Sequence, residues 1–351
     1  MTHKMSICLI VLQFCFLLLL DQTEAKVSAV IVFGDSSVDA GNNDYIHTIG
    51  RSNFPPYGRD FYGGKPTGRF CNGRLSTDFI SEAFGIKPVI PAYLDPAYTI
   101  KDFATGVTFA SAGTGLDNVT SDLVSVIPFW KEIEYFKEYK KKLTIFMGAY
   151  KTNVLLREAF YILSIGTNDF LENYYQVPTR SSHYTVDEYE NFLLGLMSNF
   201  VWDIYKLGAR KIALTSFTAF GCLPLVRTEN FLEGRACNED YNKVARELNV
   251  KLNTLIIKLN KELKGIKVVY SGVYDTLVDA IQKPSSYGFE NVANGCCGTG
   301  LFETSILCNK WDSKTCKDAS KYIFWDSIHY SEKMNKVVSD HAMKTAFVPF
   351  L

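Results

Sequence analysis

Five short apolar runs, separated by longer helical patterns, constrain this sequence more than any other feature. They cover residues 27–33, 106–110, 160–165, 211–216 and 266–270, and are rich in Val, Ile, Leu and Phe. Apolar runs of this length, with no strict polar alternation, read as strands buried on both faces. Between them, residues 75–84, 186–207 and 238–263 read as helices. In the last of these, Val244, Leu248, Leu252, Leu255 and Leu259 recur at helical spacing. Strands alternating with helices predict an α/β fold, with a parallel sheet covered on both faces. No repeat, low-complexity tract or Pro/Gly/Ser-rich linker divides residues 26–351, so they read as one domain. The full 351 residues exceed the usual domain size but fit one large α/β unit.

The first residues stand apart. Lys4 precedes an apolar stretch over residues 5–20, and Thr23-Glu24-Ala25 places a small residue before a cut. This pattern predicts a signal peptide over residues 1–25. The run is short for a membrane span, which needs about 20 apolar residues. The expectation is a secreted, extracellular protein with no stable membrane insertion. Export then decides how the cysteines read. Cys8 and Cys15 fall in the leader, leaving Cys71, Cys222, Cys237, Cys296, Cys297, Cys308 and Cys316. In an oxidising compartment most should pair. Seven is odd, so at least one stays free or bonds another chain. A zinc site competes for the cluster from Cys296 to Cys316, but its spacing fits no common zinc motif. Asn118-Val119-Thr120 is the one N-glycosylation sequon, which predicts a surface position for Asn118. Lys plus Arg and Asp plus Glu are both 37, with no basic patch, so nucleic acid is not an expected partner. The sequence does not fix the oligomeric state.

Ser36, in Gly34-Asp35-Ser36-Ser37, follows the first strand directly. Open α/β sheets bind their ligands beyond the carboxyl ends of strands. A serine there is a candidate nucleophile, although on position alone Asp35 or Ser36 capping a following helix is the stronger reading. A nucleophilic serine needs a base. Of the histidines beyond the leader, His47 and His183 lie in polar loop-like stretches and His341 in a terminal helix. His329 differs, because Asp326 precedes it by three residues and can share its face. A carboxylate there fixes the tautomer and stabilises the imidazolium formed when serine loses its proton. Acyl transfer also needs donors for an oxyanion. Gly113, in Ser111-Ala112-Gly113-Thr114-Gly115, and Asn168, in Gly166-Thr167-Asn168-Asp169, each follow a predicted parallel strand. Each could be only a tight turn, but all three segments would emerge at one edge of the sheet. Residues 41–73, rich in Gly, Pro and Asn, read as a long loop and an active-site wall. Residues 172–188 are expected to shape the pocket with it.

Gly-x-Ser-x-Gly and His-Glu-x-x-His are both absent, which argues against a nucleophile-elbow hydrolase and a zinc hydrolase. The glycine-rich run at 294–300 lacks a phosphate-loop ending and reads as a disulfide-tied turn. The charged run at 131–142 reads as a solvated amphipathic helix, with contact to a lipid surface as the alternative.

The sequence resembles the plant GDSL esterase/lipase family of the SGNH hydrolase superfamily. The resemblance rests on ordered blocks spanning almost all of the chain after its leader. They are the run from Phe33 to Asn43, Phe109-Ala110-Ser111-Ala112-Gly113, Ile165-Gly166-Thr167-Asn168-Asp169, Gly221-Cys222-Leu223-Pro224 and Phe324-Trp325-Asp326-Ser327-Ile328-His329. It implies a flavodoxin-like three-layer α/β/α sandwich with a central, mostly parallel five-stranded sheet. It also implies Ser36 as nucleophile, His329 as base and Asp326 as its orienter. The oxyanion hole would combine the N–H groups of Ser36 and Gly113 with the Asn168 amide. The implied activity is hydrolysis of carboxylic esters through an acyl-enzyme, with no metal or organic cofactor. Lipids, cutin-like polyesters and acetylated polysaccharides are the substrate classes it allows. A binding protein without turnover, or an acyltransferase using the same residues, are the alternatives. Ser37 stands where the family's namesake motif has Leu, and Tyr330 where Pro usually follows the histidine.

Overall fold

The computed structural model describes residues 27–311 and 314–351. The predicted leader lies outside the described residues. Five strands form one sheet: β1 (Val30–Gly34), β2 (Gly106–Thr108), β3 (Phe160–Ser164), β4 (Lys211–Thr215) and β5 (Lys267–Ser271). Their order is β2-β1-β3-β4-β5, and all four pairings are parallel. This is the flavodoxin-like order, with its switch point between β1 and β3, where such sheets take ligands.

The strands are apolar along their length because both faces are covered. Ile31 and Phe33, with Tyr161, Leu163, Ile212 and Leu214, point into the larger core. There they meet Phe136, Tyr139 and Leu143 of the Phe129–Met147 helix, Phe200 and Val201 of Val186–Leu207, and Leu248 and Leu252 of Glu239–Glu262. Val30, Val32, Phe160, Ile162 and Ala213 face the opposite way. They pack on Ile80 of the Ser76–Ala83 helix, Ala342 of the Glu332–Lys344 helix, and Phe347 and Phe350 beyond it. All five predicted strands and all three predicted helices are present, with ends shifted by a few residues. Among the described residues no helix is long and apolar enough to cross a membrane.

A second, two-stranded sheet was not legible in the sequence: β6 (Asn291–Gly295) pairs in parallel with β7 (Tyr322–Phe324). Disulfides join Cys222 to Cys237, Cys296 to Cys316 and Cys297 to Cys308. The two pairs in the glycine-rich run make it a disulfide-tied turn and engage its sulfurs, so they are not zinc ligands. Cys71 is the odd thiol, buried and free. Burial pushes its pKa up, which keeps it as the unreactive thiol.

Candidate active site

The site begins where β1 ends. Gly34 has φ +140°, and a Cβ there would collide with the Ser164 carbonyl of β3. Glycine therefore lets the chain leave the sheet in close contact with its neighbour. Asp35 N–H donates to Ser164 O at 3.0 Å, and Asp35 Oδ1 accepts from Ser37 N at 3.0 Å and Ser37 Oγ at 2.7 Å. The result is a tight side-chain-to-backbone turn carrying Ser36 at its tip. Ser36 does not cap a helix: a turn follows it, and the next helical segment, Asn42–Tyr45, starts after Gly41.

Asp39, Asn42 and Asn43 tie this turn to the loop after β2. Asp39 accepts from Gly41 N at 2.8 Å, Asn42 N at 2.7 Å and Ala112 N at 3.1 Å. Asn42 Nδ2 donates to the carbonyls of Thr108 and Ala110, and Asn43 Nδ2 donates to that of Ala112. Ser111 Oγ donates to Asn43 Oδ1 at 2.5 Å. Burial pushes Asp39 up to about 6 against the pull of these N–H donors. Asp169 ties the same loop from the β3 side, accepting from Leu116 N, Asp117 N and Thr120 Oγ1. Burial raises it to about 7. Beside it, Asn168 Nδ2 donates to Thr114 O at 2.9 Å, which uses one of its two amide hydrogens. Among the described residues no acceptor takes the N–H of Ser36 or of Gly113.

His329 arrives on the turn after β7. Trp325 N–H donates to His329 O at 2.7 Å and Ser331 N–H to Ile323 O at 2.9 Å. These bonds bracket a bridge between Phe324 and Tyr330 and leave the Tyr330 N–H unused among the described residues. A proline at 330 would therefore forfeit no bond; here the side chain anchors the turn, with Tyr330 Oη 2.6 Å from Thr218 Oγ1. The His329 ring lies against Phe70, centroids 4.8 Å apart. Its Nδ1 is 2.8 Å from both Asp326 oxygens. A carboxylate only accepts, so Nδ1 carries the proton, and in the neutral ring Nε2 holds the lone pair. Nε2 is buried without a hydrogen-bond partner, and Ser36 Oγ is not bonded to it in this state.

Asp326 has no exposed surface and is surrounded by donors. Oδ1 accepts the N–H groups of Ile328 and His329, at 2.9 and 2.7 Å. Oδ2 accepts Tyr57 Oη at 2.7 Å and Thr304 Oγ1 at 3.1 Å. Burial alone would raise its pKa; the attraction of His329 and these hydrogen bonds outweigh that and hold it below its ordinary value. Beneath the nucleophile turn, Glu132 Oε2 accepts Gly34 N–H at 2.9 Å. Burial holds Glu132 well above the usual carboxylate range.

Ser36, Asn168 and His329 line one cavity, yet are only 8%, 6% and 8% exposed, so they open into it and hardly elsewhere. Asp326 stands behind His329, outside the lining, and Gly113 lies on the adjoining loop. Of the long loop at 41–73 only Phe70 lines the cavity; the rest supports it, chiefly through Tyr57. No residue of 172–188 lines it; instead the β4 and β5 ends and the Glu332–Lys344 helix supply walls that the sequence did not suggest. His47, His183 and His341 are exposed on other parts of the surface. Asp39, Tyr57, Glu132, Asp169 and Thr218 went unassigned in the sequence. For Glu132 a signal existed: it falls on the stripe of Phe129, Phe136, Tyr139 and Leu143, the buried face of its helix. The run at 131–142 is otherwise the amphipathic helix expected, with Trp130 exposed.

A flavodoxin-ordered sheet, with a cavity at its switch point holding a serine and a carboxylate-bound histidine, is the frame of a hydrolytic enzyme. The chain belongs to the GDSL-like lipase/acylhydrolase family, whose model matches residues 30–342. It is 55% identical to GDSL esterase/lipase At4g26790 of Arabidopsis thaliana over 92% of both chains. It is 54% identical to GDSL esterase/lipase At2g42990 of the same plant over 91% of both, and 44% identical to GDSL esterase/lipase APG over 89% of both.

Proposed function

We propose that this protein is a secreted esterase/lipase that hydrolyses carboxylic esters through an acyl-enzyme on Ser36. What carries the reading is the state of His329. Its Nδ1 is held by Asp326, while its buried Nε2 lacks a partner in the cavity it shares with Ser36. A general base for a serine requires a lone pair not taken by another donor, in the same cavity as the hydroxyl, where their hydrogen bond can close when substrate binds. Ser36 Oγ attacks the ester carbonyl and its proton passes to Nε2. The oxyanion is met by the N–H groups of Ser36 and Gly113 and the second Asn168 amide hydrogen. The intermediate collapses, the alcohol departs with the proton from Nε2, and water repeats the sequence to release the acid. Asp326 holds the tautomer and balances the imidazolium. The relatives' printed names, esterase/lipase, support the same chemistry. The leader sequence and three disulfides support export, and exposed Asn118 is the proposed glycan site.

The deciding experiment uses the purified protein, short and long p-nitrophenyl esters, and a fluorophosphonate label. Hydrolysis and labelling that both vanish in Ser36→Ala are expected. Hydrolysis that survives Ser36→Ala refutes the assignment of the nucleophile. No turnover in the native protein favours a binding protein of this fold, and ester exchange with added alcohol in preference to water favours an acyltransferase.

A further inference from the structure

The cavity does not stop at Ser36 and His329. It continues inward between the sheet and the two helices that cover its second face, lined there by Val38, Ile80, Ile162, Val338, Ala342 and Phe347. Ile162 lies mid-strand in the central strand and is 4% exposed, whereas its register partners Val32 and Ala213 are fully buried. The opening therefore reaches the middle of the sheet. It ends against Phe347, whose ring packs on Phe160 at 4.8 Å, with Phe350 on the same ring at 5.0 Å.

Four of the hydroxyls on its other side are engaged. Ser37 and Ser164 pair at 2.9 Å, Ser216 Oγ accepts the N–H groups of Val273 and Tyr274, and Thr218 pairs with Tyr330. The six inner residues offer a sugar no polar side chain, whereas a hydrocarbon needs none. Along β3 the cavity runs from Ser164, beside the nucleophile turn, to Phe347 on Phe160, four residues or roughly 13 Å at ~3.3 Å each, about the length of an extended eight- to ten-carbon chain.

The dead end also decides which half of the ester enters. The alcohol must leave before water attacks the acyl-enzyme. An alcohol at the closed end would be trapped behind the acyl group. An acyl chain there lets the alcohol depart through the mouth and lets water follow the same way. We propose that this slot binds the acyl chain of the substrate, a medium-length unbranched hydrocarbon chain of roughly eight to ten carbons, with Ala342 and Phe347 setting its length. The assignment rests on Ser36 as nucleophile.

The test is a chain-length series of p-nitrophenyl esters: acetate, butyrate, octanoate, dodecanoate and palmitate. kcat/KM is expected to rise up to about fourfold per added methylene, as the chain fills the slot. It should peak near octanoate and fall for palmitate. Ala342→Leu should lower the octanoate-to-acetate ratio at least tenfold, and Phe347→Ala should move the optimum to a longer chain. A flat profile in the native protein, or folded variants that keep its ratio and optimum, overturns the proposal. Calorimetric binding of octanoate to Ser36→Ala, beside butyrate and palmitate, tests the slot without turnover or core variants. Preferential binding of octanoate supports the slot even if no ester is hydrolysed; equal or absent binding of all three overturns it. Failure of the nucleophile assignment reads differently, as hydrolysis indifferent to Ser36.

Discussion

Replacing Asp326 by Asn separates the charge of this residue from its shape. Oδ1 accepts two backbone N–H groups, so the amide oxygen must take that side. The NH2 then falls on the Oδ2 side, where the Tyr57 and Thr304 hydroxyls can rotate to accept from it. Folding is therefore expected to survive. Catalysis is not. An imidazolium and a carboxylate with charge centres about 4 Å apart attract by about 4 kcal/mol at an effective dielectric near 20, which is ~10³-fold in rate. The new NH2 would also sit where Oδ2 now lies, 2.8 Å from Nδ1. From there it can donate to Nδ1 and favour the tautomer protonated on Nε2, which cannot act as a base. The expected fall in kcat/KM is about 10³–10⁴-fold, read with a soluble p-nitrophenyl ester. Asp326 does not line the cavity, so KM should stay within about threefold, as for an interaction made mainly in the transition state. The lowered pKa gives a second readout. It stabilises the fold above the unfolded carboxyl value near 3.9 and is lost as pH falls through the lower folded value. Asp326→Asn should lack that step in acid unfolding. A fall in kcat/KM below tenfold, in folded protein, would refute the role given to the charge.

Asn168→Ala should lower kcat about 10²–10³-fold with little change in KM, because one oxyanion donor is removed; steady-state kinetics on any turned-over ester checks this. Glu132 keeps its proton in the folded state where the unfolded chain has lost it, so stability declines as pH rises from its ordinary value of 4.5 toward the raised one. Glu132→Gln should remove that decline, seen as urea midpoints that differ less between pH 5 and pH 8 than those of the native protein. Replacing Cys297 and Cys308 by Ser opens a loop with a sequence separation of 11 and should cost about 2–4 kcal/mol in denaturant unfolding. It should also slow turnover, since that loop presents Thr304 to Asp326 and Ser305 N–H to Tyr57.

What the sequence revealed follows from the range over which each interaction acts. The sheet was legible because β1, β3 and β4 are covered on both faces, which leaves apolar runs that local patterning exposes. β6 and β7 were not: they are short, and Asn291, Asn294 and Gly295 break any strand pattern. His329 and Asp326 were legible as a pair because three residues separate them. Tyr57, which donates to the same carboxylate, lies 269 residues from it in a Gly/Pro-rich loop, with nothing local to mark its partner. The inner cavity was invisible for a related reason. Its walls come from β3, two helices and a residue near the end of the chain, and each wall residue reads as ordinary core.

The ties from Asp39, Asn42 and Asn43 have a consequence in time. Fixing a backbone residue in one conformation costs about 1–2 kcal/mol of entropy. Held by these side chains, Ser111, Ala112 and Gly113 meet that cost once, when the chain folds. A mobile loop would meet it again with every substrate that arrived. The proposed donors of this loop are in this sense set before any ester enters, and an asparagine far from the reacting carbon would still leave its mark on the rate.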